Sequence, residues 1–131
     1  MNERIAEAIK EALLEGQLPC AAAFAISERL GVEPLDVGKE ADALDVRLSK
    51  CQLGLFGYGS KAEGTHRRVV PMDDVPPSLE QGIRDALDDD GNLSCAAAWR
   101  IAEGLGEGKQ AVSDAAEGLD VRVVQCQLGA F

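Results

Sequence analysis

Apolar residues recur at helical spacing from the start of the chain. Ile5, Ile9, Ala12 and Leu13 share one helix face, while Glu3, Arg4, Glu7, Lys10 and Glu11 take the others. Gly16 is placed to end that helix. A second helix carries Ala22, Ala23, Ile26 and Leu30, and Gly31 suits a left-handed C-cap. Pro34 fits the first turn of a third helix that points Val37, Ala41 and Leu44 inward. From Val46 to Cys51 the apolar positions alternate and β-branched residues appear, which predicts a strand. A glycine-rich turn then leads into Arg67–Val70, which reads as the return strand of a β-hairpin. Leu79, Ile83 and Leu87 open another helix, with Ser78 and Gln81 in a capping-box pattern.

The pattern then repeats. At a constant offset of 75, residues 20–56 align with residues 95–131 without a gap, and 19 of the 37 positions are identical. Leu44-Asp-Val-Arg47 recurs as Leu119-Asp-Val-Arg122, and Cys51-Gln-Leu-Gly54 as Cys126-Gln-Leu-Gly129. The first helices align at an offset of 74, the missing residue falling in the turn that follows. The chain therefore divides into a first repeat (1–56), a wing hairpin and linker (57–77) and a second repeat (78–131). A unit of about 60 residues has a marginal core alone, so the two gain by packing together.

Helix, helix, glycine turn, helix and strand is the order of a winged helix. Ile26, Leu30, Gly31, Val32 and Val37 carry spacing that resembles the helix-turn-helix pattern. Ile101, Ala102, Leu105, Gly106 and Val112 match it in the second repeat, where Glu107 departs by replacing the apolar residue after glycine. The expected fold class is mainly α with short β (α+β): two tandem three-helix modules related by duplication. The expected core includes Phe24, Ile26, Leu30, Leu44, Trp99, Ile101, Leu105 and Leu119. The resemblance implies DNA recognition through the third helix.

Charge argues against that implication. The net charge is −10, and phosphate backbones and anionic lipid surfaces repel an acidic protein. Residues 1–56 carry 6 positive and 10 negative charges, and residues 78–131 carry 4 and 10, whereas residues 57–77 carry 3 of each. The outward positions of the third helices are read as Asp36, Lys39, Glu40 and Asp42, and as Lys109, Ser113, Asp114 and Glu117. Only the linker could face a phosphate. Its candidates are Tyr58, Lys61, His66, Arg67 and Arg68, an aromatic among basic residues.

No apolar run approaches the roughly 18 residues of a membrane span, and the charged first turns do not read as a signal peptide, so cytoplasm is expected. There the four cysteines stay reduced. Cys20 and Cys51 are 31 residues apart, as are Cys95 and Cys126, with no C-x-x-C spacing. Packing beside the alanines is the favoured role, and metal or cluster ligation by each pair, or by all four, the lesser one. Cys51, Gln52 and Gly54, with Cys126, Gln127 and Gly129, read as a seam where the repeats pair strand to strand about a pseudo-dyad. Asp88-Asp-Asp-Gly91 lacks the length and closing Glu of a calcium loop.

His66, the single histidine, has no paired carboxylate or serine at hand, and no phosphate-binding glycine motif is present. The chain is therefore expected to be non-catalytic and without cofactor. Docking of a protein partner comes first, a DNA-binding regulator that uses the wing second, and a thiol-based metal or redox sensor third.

Overall fold

The computed structural model describes residues 2–59 and 66–131, and Lys61 lies outside them. Six helices and four two-residue strands among the described residues make an α+β chain. The first run is α1 (Glu3–Ala12), β1 (Leu18–Pro19), α2 (Cys20–Leu30), α3 (Pro34–Ala43) and β2 (Leu48–Ser49). The second is α4 (Pro77–Asp85), β3 (Leu93–Ser94), α5 (Cys95–Leu105), α6 (Lys109–Gly118) and β4 (Val123–Val124). No described helix is long and apolar enough to cross a membrane.

Local chemistry accounts for most boundaries. The Asn2 side chain accepts from the amides of Arg4 and Ile5, capping α1 at 3.0 and 3.2 Å. Gly31 and Gly106 end α2 and α5 at φ 64° and 68°, a left-handed conformation that glycine adopts without a Cβ penalty. In each run the short strands pair parallel, in register Leu18 to Leu48 and Leu93 to Val123. Asp45 and Asp120 both take positive φ, 58° and 62°, just before those strands.

The two cores exchange residues. Ile5, Ile9, Leu18, Ala23, Ile26, Val37 and Ala41 gather in the first run, and Leu128 from the end of the chain completes the cluster. Leu79, Ile83, Leu93, Ala98, Ala102, Val112 and Ala116 gather in the second, completed by Cys51 and Leu53 from the first. Leu53 is fully buried and Leu128 is 2% exposed, so each contributes about 1.5–3 kcal/mol to a core formed by the other run. Equivalent aromatics meet across the same boundary. The Phe24 and Trp99 ring centroids lie 4.3 Å apart, and those of Phe56 and Phe131 lie 6.1 Å apart, edge to face.

Several sequence expectations are corrected. α1 ends at Ala12, and Gly16, at φ 79°, serves the turn that links Leu14 to Gln17 instead. α4 begins at Pro77 with Pro76 as its N-cap, so Ser78 does not cap it. The strand expected over 46–51 is only Leu48–Ser49, and Arg67–Val70 form no strand. Leu105 is 43% exposed at the end of α5, while Phe24, Leu30, Leu44, Trp99, Ile101 and Leu119 are half-buried around the cores. Ser113 and Glu40, expected to face outward, are buried.

Candidate docking surface

The predicted basic site is folded back on the protein. The Arg68 guanidinium lies 4.1 Å above the Tyr58 ring centroid, a cation–π contact. The Tyr58 hydroxyl donates to the Cys51 carbonyl at 2.6 Å, and the Tyr58 amide to the His66 carbonyl at 3.4 Å. Burial raises the Tyr58 pKa, with the Arg68 charge opposing that shift. Arg67 pairs with Glu117 at 3.5 Å. Both arginine charges thus have intramolecular partners.

The segment bearing those arginines lies along α6. The Arg68 amide donates to the Gly54 carbonyl at 2.7 Å, and its carbonyl accepts from the Gln110 side chain at 3.0 Å. The Val70 amide donates to the Asp114 carboxylate and the Met72 amide to the Asp114 carbonyl, each at 3.0 Å. A Cβ on Gly118 would collide with the Met72 carbonyl, so glycine admits the segment there. In the second repeat, the helix that the resemblance assigns to DNA reading is therefore covered over Gln110, Asp114 and Glu117.

At the seam the repeats do not pair strand to strand among the described residues; Cys51-Gln-Leu-Gly54 and Cys126-Gln-Leu-Gly129 each close a turn instead, with the glycine amide donating to the cysteine carbonyl at 2.9 Å. Gly54 and Gly129 take φ 79° and 82°. Each turn packs on the third helix of the opposite run: a Cβ on Gly54 would stand 3.1 Å from Gln110, and one on Gly129 3.0 Å from Leu35. A Cβ on Gly38 would collide with the Leu128 carbonyl. Gln52 and Gln127 donate to the sulfurs of Cys20 and Cys95, each at 3.5 Å.

All four cysteines are free thiols. Burial pushes Cys20 up to about 11 and also raises Cys51 and Cys95, against the lowering by their hydrogen bonds. Those three thiols stay protonated at neutral pH, and the thiolate is both the nucleophile and the metal ligand. Among the described residues no three His, Cys, Asp or Glu side chains converge to hold a metal ion.

Two cavities flank the Phe56–Phe131 contact, of about 490 and 480 Å³. Equivalent residues line them. Asp45, Val46 and Arg47 face one, and Asp120, Val121 and Arg122 face the other. No family model, curated protein or solved structure matches this chain. The candidate surface therefore rests on geometry. Each cavity offers an apolar floor with two carboxylates and at least one guanidinium at its edge.

A second pair of cavities meets at Gln52, Trp99 and Lys109. It is unmatched, because Lys109 stands where the first run has Pro34. The Lys109 ammonium lies 3.9 Å from the Trp99 ring centroid and donates to Gln52 at 3.1 Å, tying off one side.

Sequence reasoning used Leu-Asp-Val-Arg only as a marker of repetition. A stronger signal was present in it. Arg47 and Arg122 are exposed, so core packing does not explain why both repeats carry arginine there.

Proposed function

We propose that the chain is a non-catalytic docking module with a regulatory or assembly role, and that it binds a protein partner across Phe56 and Phe131. It consists of two helix-turn-helix-like repeats of common origin, each similar in element order to the helical part of a winged helix. The repeated order of elements and the left-handed glycines after α2 and α5 support that kinship. The parallel pairing of β1 with β2 and of β3 with β4 is where both repeats depart from a winged helix, and residues 67–70 give the first repeat no return strand.

One observation carries the docking reading: two cavities of nearly equal size, lined by residues equivalent in the two repeats, either side of the Phe56–Phe131 contact. Acidic surroundings favour a partner with basic residues around an apolar anchor. The free thiols suit a reducing compartment such as the cytoplasm.

The DNA-regulator reading loses support from the covered face of α6 and from the intramolecular use of Arg67 and Arg68. Raised thiol pKa values weigh against the sensor reading.

The test places a photo-crosslinking residue at position 131 in the native cell, with position 25 on α2 as control. A discrete protein adduct at 131 that disappears in the Asp45→Asn, Asp120→Asn variant supports docking. Adduct formation indifferent to both carboxylates overturns this surface. Duplex DNA binding at low salt that is lost in the Arg67→Ala, Arg68→Ala variant would restore the regulator reading.

A further inference from the structure

The segment 66–72 shows how a face of the third helix is covered, and the first run leaves the same face open. On α6 the covered positions are Gln110, Asp114 and Glu117, all half-buried, beside Gly54, which is buried. Their equivalents on α3 are Leu35, Lys39 and Asp42, beside Gly129, and all four are exposed. Leu35 alone is 43% exposed, an uncovered apolar side chain within an otherwise polar face.

The fit on α6 has a simple geometric basis. Extended chain advances about 3.3 Å per residue and helix about 1.5 Å, so two residues of the one keep step with four of the other. Arg68, Val70 and Met72 accordingly meet Gln110, Asp114 and Gly118 in turn. Nothing in that spacing is peculiar to the second run. Asp42 stands where Glu117 holds Arg67, and the Gly129 carbonyl stands where Gly54 accepts the Arg68 amide. Two positions differ. Lys39 replaces the carboxylate of Asp114, and Leu35 replaces the amide of Gln110.

We propose that the open face of α3 binds an extended, basic segment of a partner protein, laid along the helix as residues 66–72 lie along α6. Its basic side chain pairs with Asp42, an apolar side chain covers Leu35, and a backbone carbonyl or acidic side chain meets Lys39. The acidic balance of residues 1–56 favours such an occupant over an acidic one. The proposal shares Asp42 with the cavity beside Phe131, so it deepens the docking reading by stating how the partner's chain continues past that cavity.

The probe is a blocked synthetic peptide, His-Arg-Arg-Val-Val-Pro-Met, the sequence of residues 66–72, labelled for fluorescence anisotropy and titrated against the full chain at low salt. Saturable binding is expected. Lys39→Asp, which puts on α3 the carboxylate that Asp114 supplies on α6, should tighten it about tenfold, the share of one charge-assisted hydrogen bond. Leu35→Arg should weaken it about tenfold by removing an apolar contact and repelling the probe. Both side chains are exposed, and far-UV circular dichroism checks that the variants stay folded.

No binding, equal binding of a scrambled peptide, or an affinity indifferent to both substitutions overturns the proposal. Neither Leu35 nor Lys39 lines the cavities beside Phe56 and Phe131, so cross-linking at position 131 can succeed where this titration fails, and the two failures stay distinct.

Discussion

Leu105 and Ile83 are both large aliphatic residues at helical spacing, yet only Ile83 is fully buried, while Leu105 is 43% exposed. Ile83→Ala should therefore lower stability by about 2–5 kcal/mol, and Leu105→Ala by well under that, measured by chemical denaturation. Equal losses would contradict the core described above. Gly38 is decided by a neighbour far away in sequence, the Leu128 carbonyl, which a Cβ would strike. Gly38→Ala should cost more than Gly104→Ala, where a Cβ meets open space, since backbone cannot step aside as a flexible side chain can.

The cysteines give a pH signature. The folded pKa values of Cys20, Cys51 and Cys95 are raised, that of Cys20 from 9.0 to about 11, so the folded state holds protons that the unfolded state releases. That contribution to stability is fully present below about pH 9 and is lost as pH rises toward 11. Cys20→Ala should flatten this alkaline decline in a series of denaturation curves. In the native protein at neutral pH the buried thiols should react slowly with a disulfide reagent, and half-buried Cys126 first.

At the scale of elements, α3 and α6 are the same helix in two settings. Helix α3 has a Pro at N1 and a reciprocal Glu33–Asp36 capping box, whereas α6 starts at Gly108 without a side-chain cap. Part of what α6 lacks locally is offset by the segment 66–72 bound along it. Asp114 is the hinge of that attachment, because it accepts from both Val70 and Met72. Asp114→Ala removes the carboxylate but keeps the carbonyl. It should free the segment enough to speed proteolysis after Arg67 and Arg68 severalfold, with little change in helix content. Unchanged cleavage at those arginines would show that the Gly54 and Gln110 contacts suffice to hold it.

For the molecule as a whole, the exchange of Leu53 and Leu128 makes each core depend on the other run. The two should unfold in one transition. Trp99, the single tryptophan, packs against both clusters and reports on them by fluorescence, so its curve and the far-UV circular dichroism curve should coincide. Leu128→Ala removes a side chain from the first core at the far end of the chain. It should shift that single transition by the same 2–5 kcal/mol range expected of any buried leucine. Separate transitions by the two probes would mean that the runs are independent.

Residue pattern alone determined the six helices, the left-handed glycine caps after α2 and α5, and the presence of two equivalent runs. These depend on interactions within a few residues, where apolar spacing, proline and glycine act directly. The seam turns were marked by identity between the repeats, yet that identity did not say that Leu53 would enter one core and Leu128 the other. Pairing across 75 residues is a choice among packings of similar local cost, and only the buried area of the assembled molecule decides it. The expected return strand at Arg67–Val70 failed for the same reason. Its alternation suits any extended segment, and the hydrogen-bond partners that claimed it, Gly54, Gln110 and Asp114, were brought into reach only by the packing of α6 against the first run.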